Sequence, residues 1–315
     1  MTGEGRDEQA VGAVAGSARS SSSMPRGPLT RFGFHYSSIS YADVAPSELF
    51  GRIVEVAVAA ERAGFDSLWV PDHVHQNELG GGPSGPMLEA YTLLAALAAR
   101  TQSVKLGSLV SPVTFRFPAV LAKTITTLDV VSGGRAVLGI GAGWDRGEHD
   151  AYGVPFPLGP ERWERLTEAV EICQALFGGG PVDYAGRYYS LDGAWNAPRP
   201  LQSKLPLLIG GGGEKLTLPI VAKYADACNF FGEPEVIAEK LEVLRRHCEA
   251  VGRDFAAIAK TSSVLAPANA AAVYETAAQH FAVGVDGVML FAANCPSPAT
   301  VTEWGDALQR AFRGG

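Results

Sequence analysis

Asp72 and His73 stand side by side, with His75 two residues on. An imidazole gives or takes a proton near neutral pH, and a neighbouring carboxylate can orient it or hold its charge. Asp and His are also metal ligands, but no Glu-x-x-His pattern or third clustered ligand accompanies them, so proton transfer is the better use of the pair. A second group is Gly210-Gly211-Gly212-Gly213, ahead of a helical pattern that begins near Glu214. Glycines let backbone N–H groups approach a ligand closely, and a helix N-terminus favours an anion. A cofactor phosphate is the natural occupant, provided the Glu214 side chain turns away; a flexible strand-to-helix turn is the plainer reading. The run Gly139-Ile140-Gly141-Ala142-Gly143-Trp144 lacks the third glycine of a dinucleotide fingerprint and its acidic partner after a following strand. It reads better as a place where a flat ring can lie against the backbone, with tight strand–helix packing as the alternative. No Gly-x-Ser-x-Gly elbow or Walker loop occurs.

These residues recur at one kind of place in the chain pattern. From Arg31 onward, short apolar runs alternate with amphipathic segments, giving eight strand–helix pairs. The runs are Arg31–Tyr36, Asp66–Pro71, Val104–Val110, Ala136–Gly141, Leu207–Gly210, Ala227–Phe231, Ile258–Val264 and Gly287–Phe291. Most are continuously apolar rather than alternating, as expected of parallel strands covered on both faces. Eight such units predict a (β/α)8 TIM barrel, with a doubly wound sheet as the structural alternative. Residues Gly178–Pro206, rich in Gly, Pro and aromatics, predict an insertion between the fourth helix and the fifth strand, with a hairpin around Tyr184–Tyr189. In a barrel, chemistry sits at the C-terminal strand ends. The polar candidates there are His35, Tyr36 and Ser37; Asp72, His73 and His75; Ser108 and Ser111; the glycines around Gly141; Gly210–Gly213; and Asn229.

Composition removes several functions. The 315 residues carry 26 Lys and Arg against 33 Asp and Glu, a net charge of −7, which disfavours a nucleic-acid grip. No apolar run is long enough for a membrane-spanning helix. The cysteines Cys173, Cys228, Cys248 and Cys295 are far apart, so buried free thiols in a reducing cytoplasm are expected. Residues 1–30 contain no aromatic residue and include Ser20–Ser23. Such a segment cannot bury enough apolar surface to order itself, so a disordered extension is expected before a domain spanning residues 31–315. Glu4, Asp7 and Glu8 against Arg6 argue against a secretory signal, and Met24 is a candidate start.

Taken together, the segments Gly64–His73, Met87–Arg100, Leu106–Lys123, Thr127–Gly153 and Leu208–Asp226 make the chain resemble the luciferase-like monooxygenase superfamily, in the branch that uses the deazaflavin coenzyme F420. The resemblance implies a TIM barrel with the cofactor ring at the strand ends. It places Asp72 and His73 beside the ring, with His73 as the proton-transferring residue. It puts a cis non-proline peptide behind the ring at Ser108-Leu109, with Ser111 in the same segment. It brings Gly211, Gly212 and Gly213 to the cofactor's phosphate; Gly141 and Gly143, from their place in the glycine run, are expected to lie against its ring. The sugar-phosphate dehydrogenases of this branch carry a glutamate where Trp144 stands and a threonine near Phe231. The resemblance therefore extends to the cofactor and not to a sugar-phosphate substrate. Trp144 and Glu148 fit a GxGWxxxE pattern in which Glu148 supports the fold or its neighbours.

The expected activity is hydride transfer between F420 and a small organic substrate. The aromatic residues Trp69, Phe115 and Trp144 shape the site or pack beside it. The alternatives are an FMN-dependent monooxygenase, which needs oxygen and a flavin reductase as partner, and a non-catalytic cofactor-binding protein. No metal, nucleic acid or membrane is expected as a partner, and a homodimer is compatible with the resemblance.

Overall fold

The eight apolar runs become eight parallel strands joined in one ring in a computed structural model, which describes residues 31–41, 44–76, 81–267, 269–292 and 295–312. The expected N-terminal extension, residues 1–30, lies outside the described residues. In chain order come β1 (Phe32–His35), α1 (Leu49–Arg62), β2 (Ser67–Val70), α2 (Ala90–Ala98), β3 (Lys105–Ser108), the short β4 (Ser111–Pro112), α3 (Pro118–Ser132) and β5 (Ala136–Gly141). They are followed by α4 (Arg146–Tyr152), α5 (Glu161–Gly178), β6 (Pro181–Ala185), β7 (Ser190–Trp195), β8 (Leu207–Gly210) and α6 (Thr217–Tyr224). The last elements are β9 (Ala227–Phe231), α7 (Pro234–Ala250), β10 (Ala259–Leu265), α8 (Ala270–Ala282), β11 (Gly287–Phe291) and α9 (Pro298–Phe312).

A doubly wound sheet would leave two edges. Here β1 pairs with both β2 and β11, and β3 pairs with β5, so the ring closes. Strands such as Ser67–Val70, Ala136–Gly141 and Gly287–Phe291 are buried at every position. One face of each packs on helices and the other fills the lumen, which is why the runs do not alternate. Inside the barrel Trp69 packs with Val137, Leu208, Ala227 and Met289. Gly33 and Gly107 make room for its indole: a Cβ at Gly107 would stand 2.7 Å from Trp69 Cζ3. Trp69 is thus a lumen plug rather than a site residue. The antiparallel pair β6–β7 lies between α5 and β8, with Gly186 N–H bonded to the Tyr189 carbonyl across its turn.

Three local expectations are corrected. The run Val104–Val110 is not one strand: β3 stops at Ser108 and β4 resumes at Ser111. Between the pairs Gly107–Val137 and Ser111–Ile140, four steps along β3–β4 face three along β5, the signature of a bulge. The cis non-proline peptide is Leu109–Val110, one bond beyond the expected Ser108-Leu109. The helix after the glycine run starts at Thr217, not near Glu214, because Glu214–Leu216 form a turn first. The helix α4, absent from the sequence reading, starts where the Asp145 carboxylate accepts the Glu148 N–H at 3.1 Å, a side-chain N-cap.

Candidate active site

A cavity of about 510 Å³ opens at the C-terminal ends of the strands, a size usual for small-molecule sites. Asp72, His73, Leu109, Gly141, Gly143, Gly211, Gly212 and Gly213 all line it. Ser108 and Ser111 do not; they lie one layer behind, buried. His75 is also outside it, its Nδ1 3.0 Å from the Gln76 carbonyl.

His73 follows β2 and is fixed from α4. Its Nδ1 lies 2.8 Å from Glu148 Oε2, with side-chain exposures of 18% for His73 and 1% for Glu148. The other Glu148 oxygen accepts the backbone N–H groups of Val74 and His75. Burial pushes the Glu148 carboxyl up, but the His73 hydrogen bond and charge and these two amides outweigh it, so its pKa lies below the ordinary value. Glu148 is therefore an ionised acceptor, and His73 carries its proton at Nδ1. Nε2 bonds to no described residue and belongs to the side chain that lines the cavity. Burial pulls the imidazole pKa down, but the hydrogen bond and charge of Glu148, with Asp145 and Asp72, raise it above the ordinary value of 6.5. The Trp144 indole stands edge-to-face with His73 at 5.7 Å and is 67% exposed. Glu148, read from the sequence as a supporting residue, is the hub of this arrangement.

The pair has a pH signature. The raised pKa of His73 means its contribution to stability is fully present below the unfolded value of 6.5 and lost as pH rises through the folded value. The lowered pKa of Glu148 means its contribution is present above 4.5 and lost as pH falls through the folded value. Urea unfolding of wild type and Glu148→Gln should differ most between those two values and by less at alkaline pH, where the charge pairing with His73 is gone and the bonds to the Val74 and His75 amides remain. A difference that stays constant across the range would show that the pair contributes nothing by ionisation.

Asp72 belongs to a second, buried network. Its Oδ2 accepts from Arg116 and from the Ser111 hydroxyl. Tyr91 Oη lies 2.6 Å from Ser111 Oγ, and Ser108 Oγ lies 2.8 Å from it. Arg116 also bonds Glu89, whose carboxylate caps α2 at the Tyr91 and Thr92 amides. Burial raises the Asp72 pKa more than Arg116 and Ser111 lower it. Ser111 thus holds Asp72 directly, and Ser108 lies behind Ser111.

The glycine run shows which amides are free. Gly211 N–H bonds the Asn229 carbonyl at 3.1 Å, and the Gly213 carbonyl accepts from Thr217 and Leu218. The N–H groups of Gly212 and Gly213 donate to no described residue. Gly211, at φ +116°, needs glycine; a Cβ at Gly212 would meet nothing closer than 3.7 Å, from Phe230. Glu214 turns away to Lys240, 2.5 Å from its Oε1. Gly141 and Gly210 also serve packing: a Cβ at either would stand 2.8–2.9 Å from the Val110 side chain.

Residues 30–311 match the model of the luciferase-like monooxygenase family. The chain belongs to that family. Among curated relatives, an F420-dependent glucose-6-phosphate dehydrogenase of Microbacterium testaceum is 38% identical over 214 residues, 67% of this chain and 60% of that protein. The chain thus matches about three fifths of that relative's length. In structure it resembles an F420-dependent secondary alcohol dehydrogenase in complex with an F420-acetone adduct, with TM-score 0.74, 19% identity and 90% and 99% of the two chains covered. It equally resembles a long-chain alkane monooxygenase, with TM-score 0.75, 14% identity and 92% of each chain covered.

Within this luciferase-like barrel, sequence reading named Trp69, Phe115 and Trp144 as aromatic candidates, and only Trp144 lines the cavity. Phe115 stacks instead on His149, 4.7 Å between centroids. Lining residues left out of the expected site include Trp163, Thr217, Phe231 and Ser263. Trp163 Nε1 donates to Thr217 Oγ1 at 2.9 Å, tying α5 to the start of α6. Only the strand-end positions of Phe231 and Ser263 could have signalled them. Among the described residues no three His, Cys, Asp or Glu side chains cluster to hold a metal, and no helix is long and apolar enough to cross a membrane.

Proposed function

We propose that this chain is an F420-dependent oxidoreductase that moves a hydride between the deazaflavin and a small organic substrate. One observation carries the reading: a single cavity joins two unused backbone amides, on Gly212 and Gly213, to an imidazole whose Nδ1 is held by an ionised carboxylate. The amides suit a phosphate, and the F420 dependence of the curated relatives supports F420 as its bearer. When bound, that cofactor supplies the hydride chemistry. The protein's part is to bind, orient and move protons. Gly212 and Gly213 hold the phosphate, while Leu109, Gly141 and Gly143 form cavity wall. Asp72 sits beside them, fixed by Arg116 and Ser111. His73 Nε2 takes the proton of an alcohol being oxidised, or gives one to a carbonyl being reduced, and Glu148 stabilises the imidazolium in either direction. The free cysteines fit a reducing cytoplasm.

Titrating the purified chain with F420 and with FMN, read by cofactor fluorescence, tests this. F420 should bind at least about tenfold tighter than FMN. Gly212→Val should fold normally, because its position has room, yet lose about tenfold or more in F420 affinity as its side chain shields the amides. Tight FMN co-purification without F420 affinity would replace the reading with a flavin monooxygenase. F420 binding without turnover over a broad panel would leave a binding protein.

A further inference from the structure

Apart from the His73 imidazole, which Glu148 holds, the cavity carries charge of one sign. Its acidic lining residues are Asp72, Asp145 and Glu148, and among the described residues no lysine or arginine lines it. The nearby cations point elsewhere: Arg116 to Asp72 and Glu89, Arg162 to the Gly143 carbonyl, Lys240 to Glu214. A phosphate dianion needs cations or a cluster of N–H donors. The glycine loop offers one such cluster, which the cofactor's own phosphate occupies in the reading above.

Another side of the cavity is neutral. It is formed by His35 at the end of β1, Asn229 and Phe231 of β9, and Ser263 of β10. Ser263 Oγ donates to Asn229 Oδ1 at 2.9 Å, and Asn229 Nδ2 to Thr261 Oγ1 at 3.1 Å. Phe231 is 76% exposed and packs on Phe291 at 5.7 Å, presenting a flat apolar surface.

His35 is different, because both of its ring nitrogens are buried and neither has a partner. Burial first, then the charge of His73, lowers its pKa to about 3. The ring is therefore neutral at working pH, with one donor and one acceptor. The residue thus lines the cavity while both of its nitrogens are covered. A half-turn about χ2 exchanges Nδ1 with Cδ2 and Nε2 with Cε1, so the turned ring offers nitrogens at the positions its carbons now hold. Leaving both nitrogens unpaired is unfavourable, so a ligand oxygen that satisfies one of them selects the turned ring.

We propose that the substrate of this site is an uncharged compound with a flat apolar body and a hydrogen-bonding oxygen, recognised by His35, and not a phosphorylated sugar. The inference deepens the oxidoreductase reading and rests on it for the occupant of the glycine loop. Isothermal titration of the full chain, with and without oxidised F420, uses acetophenone and glucose 6-phosphate as probes. Acetophenone should bind at least about tenfold tighter. His35→Leu should weaken acetophenone about tenfold or more, leave F420 affinity unchanged and raise Tm, since two unpaired nitrogens are removed. His35→Gln, which restores a donor and an acceptor, should recover part of the lost affinity. Glucose 6-phosphate binding as tightly as the ketone, or wild-type ketone affinity in His35→Leu, overturns the proposal. F420 fluorescence in the same samples reads the cofactor separately. Its failure removes the oxidoreductase reading, while the loss of acetophenone affinity in cofactor-free His35→Leu still tests recognition by His35.

Discussion

His73→Ala is expected to lower single-turnover hydride transfer by about 10²–10⁴-fold, the usual contribution of a positioned acid or base. Glu148 holds Nδ1 at 2.8 Å and leaves Nε2 as the only ring nitrogen available to a reacting group. Cofactor affinity should change far less, because Gly212 and Gly213 stand on a different strand end. The pH profile should change too. The folded pKa of His73 lies above 6.5, so the imidazolium persists beyond that value. Reduction of a carbonyl by wild type should fall as pH rises through the raised pKa, oxidation of an alcohol should fall as pH drops through it, and the variant should lack this limb. If His73 only orients the cofactor, the variant instead binds weakly and turns over normally at saturation. Cofactor titration and single-turnover rates on one preparation separate the two, and a near-normal rate removes His73 from the catalytic role.

The barrel was legible because eight buried strands demand eight continuous apolar runs, and runs such as Ala136–Gly141 and Ala227–Phe231 have the same bounds in the structure. The strand-end rule then puts Asp72, His73 and the glycine loop on one face from sequence alone. What local pattern could not show was decided by partners distant in sequence. Ser108 and Ser111 sit at a strand end, yet Tyr91 and Asp72 engage their hydroxyls behind the cavity wall. Asp145-x-x-Glu148 carries the spacing of a capping box, a signal for α4 that was available. The Glu148 side chain nevertheless reaches across to His73 rather than back along its own helix. His35 was visible as a strand-end histidine, but its unpaired nitrogens are a property of packing. The break in β3 has the same kind of cause, since it depends on how closely β5 lets the Ser108 carbonyl approach.

That approach gives the largest expected effect on stability. A Cβ at Gly139 would fall deep inside contact distance of the Ser108 carbonyl oxygen and 3.1 Å from the Ser108 carbonyl carbon. The neighbouring atoms are backbone, so no rotamer change relieves the overlap. Ser108 Oγ also donates to the Gly139 carbonyl at 3.0 Å, pinning the two chains together. Neither strand can retreat easily, because β5 is bonded to β3 and β4 on one side and to β8 on the other. Alanine is ordinarily easier to order than glycine, so any loss measures the overlap. Gly139→Ala should therefore cost about 3 kcal/mol or more, at the upper end for overpacking, seen as a lower urea midpoint with an unchanged m-value. Gly212→Ala is the control: its Cβ has room, and its midpoint should stay near wild type. Ser108 leads directly into Leu109 and Val110, which line the cavity. Any Gly139→Ala protein that remains folded must move that wall and should bind the cofactor more weakly. A wild-type midpoint together with wild-type affinity would show that the junction of β3 and β5 yields at no cost, and that the carbonyl of Ser108 is not what fixes the wall behind His73.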